Sequence, residues 1–469
     1  MRKLDLSHLA RFLVMVFICT LIIACKSDQS TSNNEATTAV AEDLRALPNW
    51  AKNATIYEVN IRQFTQEGDF NAFIKHLPRL KKLGVDILWF MPIYPISKEK
   101  RKGSLGSYYA ISDYRGINPE FGTMADFDRM VARIHELDMH IILDWVPNHT
   151  GWDHPWIKEH PEWYTQNEKG EIIDPTDPKT GKSWGWTDVA DLNYSNREMR
   201  KAMIDEKLFW LNQHGVDGFR EDVAHGVPDD FWDEVAQALY SKERDLFMLA
   251  EAEEAAHMNS SNFHMCYGWS AHHLLNEIAQ GKKTAADLDV WHKEFKAKFN
   301  KGFAMHFTSN HDENTWAGTI FDRLGEAHKA LAALTFTFDG MPLIYGGQEE
   351  PLKKRLEFFE KDDIEFKTYA YSDFYQKLTS LKDRNQAIWN GVYGGETKKL
   401  IQHENVYAFK REKNGDSVIG VFNLSDKSQS ITISEDIRGL EVMTKQKTFW
   451  KANSKLDLKP WQYYIISSK

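Results

Sequence analysis

Short apolar runs alternate with amphipathic stretches along the chain from about residue 54 to residue 348. The eight runs with the composition of strands are TIYEVNI, VDILWFMPI, HIILDWV, VDGFREDV, LFMLAEA, FHMCYGW, AMHFTSN and PLIYGGQ. Between them lie stretches with helical spacing of apolar residues, such as DFNAFIKHLPRLKKLG, MADFDRMVARIHELD and NREMRKAMIDEKLFWLNQHG. This alternation of strands and helices predicts an α/β fold with a parallel sheet.

Polar residues collect at the carboxyl ends of the eight predicted strands. Eight strands of this kind favour a closed (β/α)8 barrel, the TIM barrel, over an open doubly wound sheet. The first strand is not followed by a glycine-rich phosphate-binding fingerprint, which argues against a dinucleotide-binding fold. We therefore predict a barrel over residues 47–395.

The longest interruption of the alternation follows the third predicted strand and runs from His149 to Asn196. It is rich in Pro, Gly, Asp and Trp and has little helical periodicity. Loops of this length are usually functional or disordered, and its five tryptophans argue against disorder. We predict a small subdomain at about 150–195 that overhangs the top of the barrel. Most of its tryptophans should form its own core, with one or two facing the cleft.

The apolar pattern changes to a period of two after about Thr397, in KLIQHENVYAFKREKNGDSVIGVFNLSD and SITISEDI. Turn dipeptides such as Asn414-Gly415 separate the runs. The pattern predicts a C-terminal antiparallel β domain, a β-sandwich over residues 396–469.

The first residues have the pattern of an export signal. A basic segment, MRKLDLSHLAR, precedes the apolar run FLVMVFICTLIIA, which is too short to span a bilayer as a stable helix. The run ends with the small residue Ala24 directly before Cys25. We predict a signal peptide over residues 1–24 and a polar, flexible tether over residues 25–46.

The segment LIIAC resembles a bacterial lipoprotein signal, with a plain secretory signal as the alternative. The resemblance implies that Cys25 carries the lipid that anchors the protein to a membrane. Lys26 resembles outer-membrane sorting, which implies an exported protein at the cell surface or the periplasmic face. Cys266 then stands alone, so we predict no disulfide framework and expect Cys266 to be a buried small residue.

The composition is that of an ordinary globular protein, with 469 residues, 42% of them hydrophobic and 27% charged. The length suits one large domain and a smaller one. The formal net charge of −10 and the lack of a basic stripe argue against nucleic acid as a partner. The sixteen tryptophans and seventeen tyrosines suit sugar rings, although large cores also use them.

An arginine and an aspartate stand two residues apart in GFREDVAH, at the end of the fourth predicted strand. Strand side chains alternate between faces, so Arg220 and Asp222 point one way while Phe219 and Glu221 point the other. A buried carboxylate is costly unless it is paired, and the arginine on its own side is the expected partner. Alone, this pair is explained as a structural ion pair.

Further acids end other strands of the predicted barrel. Asp144 ends the third strand, Glu251 the fifth, and His311 and Asp312 the seventh. Residues at the carboxyl ends of barrel strands gather around one pocket. Carboxylates that share a pocket repel each other unless the environment splits their ionisation, and glycoside hydrolysis requires such a split.

The motifs DWVPNH, GFREDVAH, LAEAE and SNHDE occur in this order, supported by VADLN and GVDILWFMPI, over about residues 50–350. Together they resemble the α-amylase family of glycoside hydrolases, family 13, and the trailing β domain matches that family's usual C-terminal domain. The resemblance implies a retaining hydrolase that cleaves α-glucosidic bonds, mainly α-1,4, in starch-like glucans or malto-oligosaccharides.

The resemblance also implies a role for each acid. Asp222 is the nucleophile that forms a covalent glycosyl-enzyme, and Arg220 keeps it ionised. Glu251 protonates the leaving oxygen and later deprotonates water. Asp312 holds ring hydroxyls and favours the oxocarbenium-like transition state, while Asp144 orients Arg220 and the nucleophile from below. The reacting carboxyls should lie about 5–5.5 Å apart, which implies retention of the α configuration.

The resemblance implies a second set of residues that bind the sugar. His149 and His311 are expected to donate hydrogen bonds to the same ring. Tyr109 lies four residues before Asp113, as the family's sugar-stacking tyrosine does, and Tyr108 competes for that role.

Several positions stay open. Glu253 and Glu254 rival Glu251, but only Glu251 directly ends the apolar strand. Asn148 is a calcium ligand or a hydrogen-bonded loop residue. His225 contacts substrate on the leaving-group side or satisfies a loop carbonyl.

The sequence departs from the calcium-dependent members of the family, in which Lys-His typically follows the nucleophile. Here the run is Asp222-Val-Ala-His225-Gly226. The first barrel loop, RQFTQEGDF, also lacks the spaced aspartates of an oligo-1,6-glucosidase-like calcium loop. We therefore expect no required cofactor, and calcium is in doubt.

Other functions use the same pocket. The enzyme alternatives are a neopullulanase-like or cyclomaltodextrinase-like activity, including preference for α-1,6 branch points, and transfer of the sugar to another sugar. A silent glucan-binding surface lipoprotein would lack the nucleophile or the acid, and neither is missing. Outer-membrane partners of a polysaccharide-uptake system would fit the anchor.

Overall fold

The computed structural model describes residues 46–177, 180–240 and 245–469. The predicted signal peptide, the lipid attachment at Cys25 and nearly all of the predicted tether lie outside the described residues.

The first ten strands in the described part of the chain run along the predicted barrel. In chain order they are β1 (Ile56–Val59), β2 (Ile87–Phe90), β3 (His140–Trp145), β4 (His149–Gly151), β5 (Val189–Asp191), β6 (Gly218–Glu221), β7 (Phe247–Ala250), β8 (Met265–Tyr267), β9 (Phe303–His306) and β10 (Gly340–Tyr345). All but β4 and β5 form a closed barrel in the order β1-β10-β9-β8-β7-β6-β3-β2, and every pairing between neighbours is parallel. The predicted TIM barrel is confirmed.

The barrel strands are buried on both faces. Apart from the partly buried first residue of β3, every residue of these eight strands is buried. This is why the strands occur in the sequence as nearly continuous apolar runs. Trp89, Ile142 and Phe247 belong to the cluster inside the barrel, and Cys266 is buried as expected.

Helices cover the outside of the barrel. The helices of seven or more residues are Leu77–Leu83, Met124–Glu136, Arg197–Gln213, Asp229–Tyr240, Trp269–Ala279, Ala285–Lys298, His328–Thr337 and Ser372–Arg384. The shorter ones are Ile61–Phe64, Phe70–Ile74, Trp156–Glu159, Ala255–Met258 and Ile320–Leu324.

The helix at Met124–Glu136 illustrates how the sequence builds this outer layer. Thr123 and Asp126 form a reciprocal capping box at its start, which satisfies two backbone N–H groups that have no partner within the helix. Phe127, Met130 and Ile134 then recur at helical spacing and are buried. Burial of this apolar face against the barrel stabilises the helix.

The segment after β3 forms a small subdomain of its own. Its strands β4 and β5 pair antiparallel. Trp156 and Trp163 are buried and pack edge to face with ring centroids 5.0 Å apart. Trp186, in contrast, is 36% exposed. Two of the five tryptophans are thus buried, fewer than the majority that we predicted, and Trp186 faces the cleft as expected of one or two of them.

The C-terminal part of the chain is antiparallel β structure, as predicted. Its strands are β11 (Lys398–Lys399), β12 (Val406–Lys413), β13 (Asp416–Asn423), β14 (Gln429–Thr432), β15 (Ile437–Glu441), β16 (Gln446–Trp450), β17 (Lys455–Leu458) and β18 (Tyr463–Ser467). Six of them form one sheet in the order β11-β12-β13-β18-β15-β16, and β14 pairs with β17. Val421 and Ile466 of the larger sheet share one apolar cluster with Ile431 and Leu458 of the smaller one.

Within the described ranges, the helices are too short or too polar to cross a membrane.

Candidate active site

The guanidinium of Arg220 joins three carboxylates from three barrel strands. Its Nη1 lies 2.9 Å from Oδ1 of Asp144 and 2.7 Å from Oδ1 of Asp222, and its Nη2 lies 2.9 Å from Oε1 of Glu251. Its Nε also donates to the hydroxyl of Tyr267 at 3.2 Å. The residues that end β3, β6 and β7 therefore meet at one cation, as the strand-end argument predicted.

Asp144 lies beneath this cluster and is fully buried. Its Oδ2 accepts hydrogen bonds from Nε1 of Trp89 and from the hydroxyl of Tyr109, both at 3.1 Å. Burial raises the pKa of Asp144 to about 6, although the charge of Arg220 lowers it. Asp144 contacts Arg220 from inside the barrel, at the position predicted for it.

Asp222 follows β6 directly, on the face of the strand that also carries Arg220. Burial raises its pKa well above the ordinary value, the charge of Arg220 opposes that rise, and the neighbouring carboxylates Glu251 and Asp144 add to it. A single arginine cannot compensate three ionised acids at this depth. The three carboxyls around Arg220 therefore cannot all be ionised at the same time.

Glu251 faces the same cavity as Asp222 and is fixed from below by the chain after β6. The backbone N–H of Val223 donates to Oε2 of Glu251 at 2.8 Å. Val223 has φ 47°, a left-handed conformation that is unusual for a β-branched residue. Strained residues of this kind concentrate at functional sites.

The two rivals of Glu251 lie elsewhere. The carboxylate of Glu253 accepts from the backbone N–H of Ser270 at 2.6 Å, and Glu254 is exposed. Neither lines the cavity that contains Asp222.

His311 and Asp312 follow β9 and reach the same place. Nε2 of His311 lies 2.9 Å from the hydroxyl of Tyr109 and 3.4 Å from Oδ2 of Asp312. Tyr108, the competitor of Tyr109, is buried and does not line the cavity. Its hydroxyl accepts a hydrogen bond from the side-chain amide of Asn60 at 3.1 Å. The structure therefore places Tyr109, not Tyr108, at the site.

His149 lines the cavity from the start of the inserted subdomain and is buried. Burial lowers its pKa to about 3, so its imidazole is neutral at neutral pH. The amide Nδ2 of Asn148 lies 3.2 Å from Nδ1 of His149. Asn148 thus makes a hydrogen-bond contact within its loop, and its role as a calcium ligand stays a prediction. Across the described ranges, three or more His, Cys, Asp or Glu side chains nowhere gather in a way that could hold a metal ion.

His225 lies on the side of Glu251. Its Nδ1 is 3.4 Å from the backbone carbonyl of Glu251, and its ring faces Trp184 with centroids 6.2 Å apart. The side chain is exposed. His225 therefore makes the predicted contact with a loop carbonyl. Because its ring is exposed, it is also accessible to a substrate.

The carboxylates open into a cavity of about 420 Å³. Nine of its lining residues were not predicted from the sequence, and among them are Lys102, Trp186, Asp188, Trp316, Phe358 and Phe359. Trp316 could have been predicted from its position, because an aromatic residue four places after Asp312 in a helical turn lies beside it. In the structure its Nε1 donates to Oδ1 of Asp312 at 3.2 Å. The others come from long loops whose paths no local pattern specifies.

Comparison with known protein families gives two matches along the chain. A model described as Alpha amylase, catalytic domain, matches residues 27–407. A model described as Maltogenic Amylase, C-terminal domain, matches residues 399–465.

Individual proteins are similar over most of the chain. Alpha-amylase 3 of Dictyoglomus thermophilum is 26% identical over 89% of this chain and 93% of its own length. Alpha-amylase MalA of Haloarcula japonica is 30% identical over 85% of this chain and 59% of its own length.

Solved structures of alpha-amylases are also similar to this chain over most of its length. An alpha-amylase from Lactobacillus plantarum superposes with a TM-score of 0.79 and 29% identity, over 89% of this chain and 99% of that one. The noncanonic maltogenic alpha-amylase AmyB from Thermotoga neapolitana has a TM-score of 0.79 and 28% identity, with the same coverage of both chains.

Proposed function

The chain belongs to the α-amylase family of glycoside hydrolases, and we propose that it cleaves α-glucosidic bonds, mainly α-1,4, in starch-like glucans or malto-oligosaccharides through a covalent glycosyl-enzyme on Asp222. One observation carries the proposal. Arg220 holds Asp222 on one guanidinium nitrogen and Glu251 on the neighbouring one, and both carboxyls line the cavity. This arrangement brings a nucleophile and an acid to one glycosidic bond.

In the first half of the proposed reaction, an oxygen of the Asp222 carboxylate attacks the anomeric carbon. The bond between that carbon and the glycosidic oxygen breaks, and protonated Glu251 gives its proton to that oxygen. In the second half, the Glu251 carboxylate takes a proton from water while the water oxygen displaces Asp222. Two displacements at one carbon retain the α configuration.

Neighbouring side chains are proposed to hold the sugar during these steps. Asp312 accepts hydrogen bonds from ring hydroxyls, and His311 and His149 donate to the same ring. Tyr109 supplies an aromatic face beside His311, with ring centroids 5.6 Å apart and an angle of 23° between the rings. His225 meets the leaving part of the substrate.

A second candidate function is a neopullulanase-like or cyclomaltodextrinase-like activity on cyclodextrins and short oligosaccharides. The match of the C-terminal residues to a maltogenic amylase domain favours it, as does the similarity to a solved maltogenic alpha-amylase. Transfer of the sugar to another sugar uses the same covalent intermediate and differs only in the acceptor.

The test compares the wild-type protein with Asp222→Asn on soluble starch, maltotriose, pullulan and cyclodextrins, with products followed by chromatography. If the wild-type protein releases sugar products and Asp222→Asn does not, the result supports Asp222 as the nucleophile. Unchanged product release in the variant would refute that role. The ranking of substrates separates the two candidate functions, and longer products than the substrate reveal transfer.

We also propose that calcium is not required. The proposal is supported by the sequence Val-Ala-His225-Gly226 after the nucleophile, in place of the Lys-His of calcium-dependent relatives. Activity and melting temperature should be equal with a chelator and with added calcium. A loss of either with the chelator, restored by calcium, would make Asn148 the first ligand to mutate.

The lipid anchor at Cys25 is likewise our proposal, supported by the segment LIIAC and the polar stretch after it. Export to the outer membrane follows from Lys26, and partners of a polysaccharide-uptake system would meet the enzyme there. Labelled palmitate should enter the wild-type protein but not Cys25→Ser, and the variant should leave the membrane fraction. Equal labelling of both would refute the anchor.

A further inference from the structure

The loop of residues 98–106 follows β2 and is attached to the inserted subdomain at the edge of the cavity. Nζ of Lys102 lies 2.7 Å from Oδ1 of Asp188 and 3.3 Å from the carbonyl oxygen of Gly185. Behind this contact, Nε1 of Trp152 donates to the carbonyl of Thr187 at 3.0 Å, which fixes the Asp188 segment to its own subdomain. Lys102 and Asp188 both line the cavity.

The same loop is attached on its other side to the segment after β10. The backbone N–H of Leu105 donates to the carbonyl of Phe359 at 3.0 Å. The backbone N–H of Ser104 donates to Oε1 of Glu360 at 2.8 Å. Residues 98–106, 184–188 and 358–360 therefore form one continuous wall, which we call the β2 wall.

The parts of the β2 wall that follow β2 and β10 lie across the barrel from Glu251, while the segment 184–188 runs from there toward the Glu251 side, where Trp184 faces His225. The three segments of the wall belong to the loops after β10, β2 and β3. In the ring of strands β10, β1, β2 and β3 are neighbours in this order, so β1 lies between the strands that carry the wall. Glu251 follows β7, which is four positions from β1 in the ring of eight and so lies opposite it. Asp222 lies between the two, at the end of β6.

This placement relates the wall to the two halves of the substrate. Glu251 gives its proton to the leaving oxygen, so the part of the substrate that leaves extends on the β7 side. The glycone, the part that becomes bonded to Asp222, must then extend toward the β2 wall. A chain that continued past the cavity on that side would have to pass through the Lys102–Asp188 contact.

We propose that the Lys102–Asp188 bridge closes the glycone side of the cavity and makes the enzyme exo-acting, so that it removes short units from the non-reducing ends of α-glucans. The inference rests on the proposed function. Lys102 is the specificity-determining residue, because its contact joins the loop after β2 to the inserted subdomain. Asp188 is buried and Lys102 is partly exposed, so removal of either side chain breaks the bridge without emptying the core.

The test uses maltoheptaoside that carries a chromophore at its reducing end. Its non-reducing glucose is either free or blocked by a 4,6-O-acetal. The rate of cleavage is measured by chromatography, as the rate at which the intact labelled substrate disappears. An endo-acting enzyme cleaves both forms at similar rates. The wild-type protein is expected to cleave the free form at least about 100-fold faster, because the acetal cannot enter a closed pocket. Lys102→Ala should reduce that ratio at least about tenfold by admitting the blocked end.

Lys98→Ala is the matched control, since Lys98 is an exposed lysine of the same loop; its ratio should equal that of the wild type. Asp188→Ala gives an independent break of the bridge if Lys102→Ala does not fold, as judged by its melting temperature. Similar rates on both forms in the wild type would overturn exo action, and an unchanged ratio in both bridge variants would overturn the role of the bridge. A wild-type protein that cleaves neither form overturns the proposed function and this inference with it.

Discussion

Oε1 of Glu58 lies 2.5 Å from Nδ1 of His311, and both side chains are buried. Burial alone would lower the pKa of His311, but the charges of Asp312 and Glu58 raise it to about 9. At neutral pH the imidazole is therefore a cation with two N–H donors. One faces Glu58. The other, on Nε2, lies at the cavity and faces the Tyr109 hydroxyl, which donates to Asp144, so a bound sugar would compete with Tyr109 for it.

Replacing Glu58 by Gln should shift the alkaline limb of the pH–activity profile to lower pH. The folded-state pKa of His311, about 9, exceeds its ordinary value of 6.5. The stabilisation from the charged form is thus complete below about pH 6.5 and is lost as pH rises through about 9. Glu58→Gln removes one of the two charges that raise this pKa. The measurement is kcat/KM on maltotriose from pH 5 to pH 10.

Glu349→Gln serves as the control for this shift, because it removes another buried carboxylate that pairs with Arg79 away from the cavity. Its pH profile should match that of the wild type. An alkaline limb that stays in place in Glu58→Gln would show that His311 does not depend on Glu58.

Arg220→Lys should reduce kcat by about 100-fold or more, because removing one positioned donor from a transition state has an effect of that size. A lysine ammonium cannot reproduce the fork that contacts Asp144, Asp222 and Glu251 together. Steady-state kinetics on maltotriose, with enzyme concentration corrected for folded protein, measure the loss.

Arg411→Lys is the matched substitution outside the site. Arg411 is equally buried, but its guanidinium binds backbone carbonyls, including that of Gly395 at 2.8 Å. This variant should melt at a lower temperature and keep its kcat. If Arg220→Lys behaved the same way, Arg220 would be a structural residue only.

Trp316 should contribute in two ways that different substitutions separate. Its Nε1 donates to Oδ1 of Asp312, and its ring lies beside Phe358 with centroids 5.6 Å apart. Trp316→Phe keeps a ring and loses the hydrogen bond, so kcat should fall about three- to tenfold. Trp316→Ala should raise KM as well, because it also removes the aromatic surface.

The control for Trp316 is Phe449→Ala, which removes an exposed aromatic side chain from the C-terminal domain. Trp316 is itself 56% exposed, so neither alanine variant should change the melting temperature much. Equal kcat and KM in Trp316→Phe and the wild type would refute the contact with Asp312.

The barrel could be predicted because each of its strands is a separate, locally visible apolar run. Each of the eight predicted runs overlaps a barrel strand, but their ends differ. The strand β8 stops at Tyr267 because Trp269 already begins the next helix. The strand β10 starts at Gly340, two residues before the predicted run PLIYGGQ begins at Pro342. Such ends depend on the neighbouring strand, which the local pattern does not contain.

The candidate site could be predicted where chain topology alone brings residues together. Parallel barrel strands place their carboxyl ends at one rim, so Asp144, Asp222 and Glu251 follow from the strand pattern. The partner of His311 was not predicted, although Glu58 lies one residue before the end of β1 and the same argument applies to it. The contact of Lys102 with Asp188, in contrast, depends on the paths of two long loops.

The buried pair of Lys207 and Glu221 should stabilise the fold without affecting catalysis. Glu221 points from β6 to the face opposite Asp222, as strand alternation predicts, and Nζ of Lys207 lies 2.5 Å from its Oε1 with both side chains fully buried. Lys207→Met should lower the free energy of unfolding by about 3–5 kcal/mol, because it leaves a buried carboxylate without its cation. The double variant with Glu221→Leu should recover most of that loss, since two apolar side chains leave no buried charge. Urea unfolding measures both changes, and kcat per folded molecule should stay at the wild-type value in each. A double variant no more stable than the single one would show that the carboxylate is satisfied without Lys207, and a fall in kcat would connect this face of β6 to Asp222.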